Sequence, residues 1–165
     1  RADILVTIGG ASVGDHDVTR PGLAAAGMVL DFWKIAMRPG KPLVFGRLGD
    51  MAVLGLPGNP VSAFVCGMVF LRPLIEALQG LPRSDGHEPA VLGANMRAND
   101  GRTTYLRASL AQKPDGLPEA TPLPRQDSSL LKVLAEADCL LVRPALAERA
   151  EKGALCQIIR LDPRV

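Results

Sequence analysis

Two prolines and a glycine within six residues, Pro57-Gly58-Asn59-Pro60-Val61-Ser62, stand between an apolar run (Ala52 to Leu56) and a long apolar stretch (Val61 to Leu78). That order reads as strand, turn, helix start. Pro60 lacks a backbone N–H, and its fixed φ suits the first helical position. Asn59 before it is a good N-cap, with a side-chain oxygen for one orphan amide. The free amides of the helix end carry a partial positive charge and face whatever leaves the carboxyl edge of the strand. α/β proteins hold anions in this way. Taken alone, the turn is equally ordinary helix punctuation.

The surrounding pattern supports an α/β reading. Asp3 to Ile8 is a short aliphatic strand ending at Gly9-Gly10, followed by a loop over residues 9–17. A short helix follows, with Asp17 near its N-cap, Pro21 in its first turn and Gly27 stopping it. Met28 to Ile35, Leu43 to Leu48 and Ala52 to Leu56 read as strands, with a turn at Met37 to Pro42. The helix from Val61 places Val61, Phe64, Val65, Met68, Leu71, Ile75 and Leu78 near one face, and with an uncharged opposite face it is expected to be mostly buried. Pro73 is expected to kink it, and Gly80 to end it.

Residues 81–90 read as a linker. Beyond them, Val91 to Ala98 and Thr103 to Leu110 are strand-like, joined by a turn at Asn99-Asp100-Gly101-Arg102. A helix at Ser128 to Ala137 and strands at Cys139 to Arg143 and Ala154 to Leu161 complete a second, all-β domain over 91–165.

Composition narrows the classes. A 47% hydrophobic content allows a substantial core, and with 4% aromatics that core must be aliphatic. A net charge of +2 does not suggest nucleic acid or membrane as a partner. Val61 to Leu78 comes nearest to a bilayer span but is interrupted by Arg72, Pro73 and Glu76. Cys66, Cys139 and Cys156 have neither disulfide nor zinc-site spacing, so a reducing, cytoplasmic setting is expected. A strand opening almost at Arg1 suggests upstream sequence outside this chain.

Three strings suit anions. In Gly9-Gly10-Ala11-Ser12-Val13-Gly14-Asp15-His16-Asp17, glycines let amides approach a phosphate, and Ser12 adds a hydroxyl. Asp15 and Asp17 would repel an anion unless a Mg²⁺ bridges carboxylate and phosphate. In Lys34…Arg38-Pro39-Gly40-Lys41, with Arg47 nearby, four cations have few neighbouring acids; Arg38 and Lys41 could chelate a tetrahedral oxyanion. The Pro57 to Ser62 turn is the third. Each alone could be a solvated loop, but loops at strand carboxyl ends converge, and the Gly9 and Pro57 loops both qualify. His16 reads as exposed filler, Trp33 as a core residue and Cys66 as inert core.

Together, Gly9 to Asp17, Trp33-Lys34 with Arg38 to Pro42, and Gly55 to Ser62 resemble, in order and spacing, the molybdopterin molybdenumtransferase family of bacterial MoeA and the gephyrin E domain. The likeness runs through Gly80 and continues more weakly through Arg102 to Arg107 and Asp127 to Ala137. It implies a three-layer α/β MogA-like domain over 1–80, incomplete at its N-terminus, then a small all-β barrel-like domain. It implies Mg²⁺-dependent insertion of molybdate into adenylylated molybdopterin with release of AMP, in a protein that is longer and homodimeric and that has the molybdopterin adenylyltransferase as a candidate partner. This chain alone would be inactive.

Residue by residue, the resemblance implies catalytic roles for Asp17, Lys34 and Arg38, with Asp17 and Asp15 at the metal. It implies substrate binding by Gly9, Gly10, Ser12, Gly14, Lys41, Arg47, Pro57, Gly58, Asn59 and Ser62. Arg38 stands where many members carry Lys. Two other readings remain at this point: a molybdopterin adenylyltransferase-like enzyme, against which the β tail argues, and a gephyrin-like scaffold or binding module.

Overall fold

The computed structural model describes residues 2–10, 18–82, 85–114, 116–127, 129 and 131–161. The chain divides into two units, Arg1–Ile35 with Pro39–Arg83, and Ala36–Arg38 with Ser84–Val165. The short insert Ala36–Arg38 thus belongs to the second unit although first-unit sequence flanks it on both sides.

The first unit contains strands β1 (Ile4–Ile8), β2 (Val29–Trp33), β4 (Val44–Leu48) and β5 (Met51–Leu56), in sheet order β1-β5-β4-β2. Only β1 and β5 run parallel; β5–β4 and β4–β2 are antiparallel. The mixed sheet follows from chain length: Gly49-Asp50 and the 34–43 loop are too short for the crossover that parallel neighbours need. Met28, Val44 and Val53 form its core, with Leu5, Leu23, Trp33 and Leu48 packed against them.

Helix α1 (Thr19–Ala25) leads into Gly27, whose φ of 93° is the left-handed conformation of a helix stop. Its N-cap is Val18, one residue beyond the expected aspartate.

The apolar stretch forms one helical run of three parts: α2 (Pro60–Cys66), a π-helical turn (Gly67–Leu71) and α3 (Arg72–Leu78). The π turn is how the run accommodates Pro73: the Gly67 carbonyl is bonded by the Arg72 amide, five residues on. The burial expected over the whole run holds only for α2, where Val61, Ser62, Val65 and Cys66 are buried; Phe64, Ile75 and Leu78 are exposed. Periodicity identifies an apolar face but not what covers it. By length and composition alone this 19-residue run could cross a membrane, which the interrupting charges had argued against. Arg72 and Glu76 pair with each other across one turn at 2.8 Å.

The second unit is a barrel. Strands β7 (Thr103–Ala111), β8 (Glu119–Pro122), β6 (His87–Leu92), β10 (Leu155–Arg160) and β9 (Cys139–Arg143) pair in that order, and β9 returns to β7 to close the ring. Strand β3 (Met37–Arg38) attaches in parallel outside the ring, on β7. Ala90, Leu92, Ala108, Ala120, Cys139, Leu141 and Ile158 fill the barrel.

The sequence reading placed a strand at 91–98 and a hairpin into 103; instead β6 starts at His87 and pairs with β8 and β10. Residues 93–102 form a crossing loop, pinned where Asn99 Nδ2 donates to the carbonyls of Arg102, Arg143 and Pro144. Helix α4 is shorter than expected, Leu131–Ala135.

Arg107, 1% exposed, donates from Nη2 to the Asp127 carbonyl, while Gln126 bridges both the amide and the carbonyl of Arg107. Burial lowers the Arg107 pKa, partly offset by the nearby Asp127 charge. Arg107 therefore ties the 123–129 segment to β7.

Burial pushes the thiols of Cys66 and Cys139 up to about 12, from an ordinary 9.0. A folded-state value above the unfolded one stabilises the protein below about pH 9 and loses that contribution as pH rises toward 12. Unfolding free energy is thus expected to fall above pH 9. With limiting iodoacetamide at pH 8, Cys156, the least buried of the three, is expected to be alkylated first by mass spectrometry. Faster modification of Cys66 or Cys139 would contradict the packing.

Candidate functional site

One row of residues crosses the first sheet: Thr7 opposite Gly55, Gly55 opposite Val44, Val44 opposite Trp33. One step beyond it lie Ile8, Leu56, Leu43 and Lys34; one further step reaches Gly9 and Pro57. The carboxyl ends of β1 and β5 and the 34–43 loop therefore share one edge of the sheet.

At that edge the Gly9 amide donates to the Leu56 carbonyl at 3.0 Å, tying the Gly-rich loop to the proline turn. Gly9 and Gly10 have φ of 84° and 71°, a left-handed pair that residues with a Cβ rarely adopt. A Cβ on Gly58 would lie 3.3 Å from Gly9 Cα, so glycine at both positions permits the close approach. Two of the three anion-suited strings are thus in contact.

Pro57 is buried, and Pro60 opens the helix as expected. The Asn59 carbonyl accepts the Ala63 amide at 2.8 Å. Its side chain does not cap: Oδ1 is buried without a hydrogen-bond partner among the described residues, as is the Thr7 hydroxyl in the neighbouring row. Ser62 is buried in the first turn. The amides of Val61 and Ser62, ahead of the first i→i+4 bond, are the helix-end donors here.

The basic turn is fixed at both ends. The Lys34 amide donates to Leu43 and the Ile35 amide to the Lys41 carbonyl, at 3.1 and 3.0 Å. Gly40, with φ 113°, turns its carbonyl to accept the Cys66 thiol of α2 at 3.8 Å. Cys66 is the inert core residue expected, and it also fastens the turn to the helix. Lys34 and Lys41 are exposed at this edge. Lys34 has φ 66°, a left-handed conformation costing about 1–2 kcal/mol in a non-glycine residue.

Other candidates lie elsewhere. Arg38 is on β3, in the second unit, where Nη2 donates to Thr104 Oγ1 at 3.4 Å and Nη1 lies 3.5 Å from Asp100. It is not the unbalanced cation its neighbours in sequence suggested. The Asp100 carboxyl is held below its ordinary range, chiefly by a hydrogen bond from Arg102 and to a smaller extent by the Arg38 charge. Arg47 pairs with Val29 and Ala52, at the other end of β4 and about 10 Å along the strand from Val44. Ser12, Gly14, Asp15, His16 and Asp17 lie outside the described residues. Among the described residues, no group of three His, Cys, Asp or Glu side chains could hold a metal.

Trp33 packs against the core as expected, and it also carries two cations: Lys34 Nζ and Arg20 Cζ each lie 3.8 Å from its ring centroid. Arg20 was not a sequence candidate. A signal was present, since Arg20 sits in the first turn of α1, where the helix dipole disfavours a cation.

The comparisons with known proteins cover both units. The family described as "Probable molybdopterin binding domain" matches residues 1–77, and the "MoeA C-terminal region (domain IV)" matches residues 89–161. The chain is 38% identical over 144 residues to the molybdopterin molybdenumtransferase of Haemophilus influenzae, covering 86% of this chain and 35% of that protein. It is 33% identical over 161 residues to the enzyme of the same name from Bacillus subtilis, covering 96% and 37%. The crystal structure of a molybdopterin biosynthesis MoeA protein from Pyrococcus horikosii matches 97% of this chain and 37% of its own, with a TM-score of 0.74 at 24% identity, a likeness of fold. The chain thus spans little more than a third of the length of these relatives. With a MogA-like α/β unit that bears the glycine, basic and proline loops on one sheet edge, followed by a five-stranded barrel, the chain belongs to the molybdopterin molybdenumtransferase (MoeA) family.

Proposed function

We propose that this chain supplies the oxyanion-binding wall of a molybdopterin molybdenumtransferase, which inserts molybdate into adenylylated molybdopterin and releases AMP. The observation that supports this most is the convergence of Gly9-Gly10, the Pro57–Ser62 helix start and Lys34 with Lys41 on one sheet edge. Helix amides and glycine amides give fixed donors for phosphate or molybdate oxygens. Lys34 and Lys41 add point charges that stabilise negative charge developing on the leaving phosphate. The family resemblance gives Arg38 a catalytic role; its fork is oriented by Thr104 and Asp100 within the second unit.

Asp17, with Asp15, would hold a Mg²⁺, which when bound supplies positive charge to the phosphate. Ser12 and Gly14 would complete the loop's donors. The same reading carries a cytoplasmic, homodimeric protein fed by the molybdopterin adenylyltransferase.

Equilibrium dialysis of this chain with molybdate tests the wall directly. Saturable binding is expected at low ionic strength, weakening with salt. Gly58→Val, which pushes the proline turn off Gly9, is expected to lower affinity about tenfold or more. Unchanged affinity in that variant would remove the two-loop contact from the site.

A further inference from the structure

Trp33, Arg20 and Lys34 form a cluster that the reading above does not use as a unit. In a regular strand, successive side chains point to opposite faces, so an extended Lys34 would turn away from Trp33. Its φ of 66° breaks that alternation and returns the ammonium to the indole, 3.8 Å from the centroid. The Arg20 guanidinium comes to the same ring from α1, also at 3.8 Å. Both cations therefore lie against the same indole side chain. Neither cation is in the ion pairs that Arg38, Arg72, Arg102, Lys113, Lys132, Lys152 and Arg160 make among the described residues. A carboxylate would neutralise them; an aromatic ring orients a cation through its quadrupole and leaves the charge intact. Packing of Trp33 on Leu23, Met28 and Val44 fixes the ring that does this.

We infer that Trp33 is a positioning residue which holds Lys34 and Arg20 as a pair, and that Arg20 is a second binding residue for a dianionic tetrahedral oxyanion at this sheet edge. The inference rests on the proposed oxyanion wall and names a further member of it. Two cations held on one indole favour an anion nearby, and a dianion matches the pair in charge.

The test uses this chain, whose sole tryptophan is the reporter. Molybdate is titrated at low ionic strength while Trp33 emission is followed, with sodium chloride at matched ionic strength as control and dialysis as an independent measure of binding. A saturable change in emission is expected in the wild type. Arg20→Met is expected to raise the midpoint about two- to fivefold with unchanged far-UV circular dichroism, and Arg20→Lys to restore most of the affinity. Trp33→Leu is expected to weaken binding similarly by dialysis. A wild-type midpoint in Arg20→Met, or binding by dialysis with no change in Trp33 emission, would overturn the inference while leaving the oxyanion wall standing. No binding by dialysis in the wild type would overturn both.

Discussion

Gly46→Ala is expected to destabilise the first unit by about 3 kcal/mol or more, the largest stability loss of any single methyl added to its sheet. Gly46 is buried on β4 opposite β2, where the pairing register shifts between Leu30 and Phe32. That irregularity brings the β2 backbone over position 46. A Cβ there would lie 2.4 Å from the Val29 carbonyl oxygen and 3.2 Å from Leu30 Cα. Both neighbours are backbone, so no side-chain rotation relieves the overlap, and the strands must part. Against a typical total of roughly 5–15 kcal/mol, such a loss is severe. Urea unfolding followed by Trp33 emission measures it. Gly22→Ala is the control: it lies inside α1 with nothing within 4 Å of its added carbon, and it should stabilise by about 0.5–1 kcal/mol. Equal midpoints for the two variants would refute the β2–β4 geometry.

The second large effect concerns turnover. In a protein carrying this chain within the full length of its relatives, Asp17→Ala is expected to reduce molybdate-dependent AMP release at least about 100-fold, with the fold intact. The reasoning has two parts. A carboxylate in a loop otherwise built for anions is unfavourable unless it serves a cation, so its loss removes charge from the reacting phosphate. The helix that follows does not use position 17 as its N-cap, which is Val18, so the helix start is expected to survive. Near-wild-type turnover would refute the assigned role, whereas loss of the thermal transition would mark a structural one.

How far the sequence reached is clearest strand by strand. β1, β4, β5 and β9 fall within about a residue of where unbroken aliphatic runs placed them. β6 was displaced because it begins with His87-Glu88-Pro89, residues that argue against a strand, yet Pro89 takes its place opposite Gln157. β8 is four residues ending in proline, and β3 only two; neither has a period to read. Such strands exist because distant partners complete their hydrogen bonds.

The site divides in the same way. Contact between the Gly9 and Pro57 loops followed from two parallel strand ends. The placement of Arg38 depended on pairing with Thr104, 66 residues away, and no local pattern announces that. Asn59 was identified as the residue before the helix, but its side-chain contacts were not, because capping competes with whatever burial offers.

The excursion Ala36–Arg38 has a consequence for modularity. The Thr103 amide donates to the Ala36 carbonyl, and Met37 and Arg38 lie in register with Thr103 and Thr104. A gene cut within 81–90 would therefore not separate two self-sufficient parts. The downstream piece would keep its closed ring but lose the strand that covers the outer edge of β7, leaving unpaired amides open to intermolecular pairing. Inheritance of the barrel without the preceding α/β segment would require a substitute for three residues, so the two halves are expected to travel through evolution, and through any expression vector, as one unit.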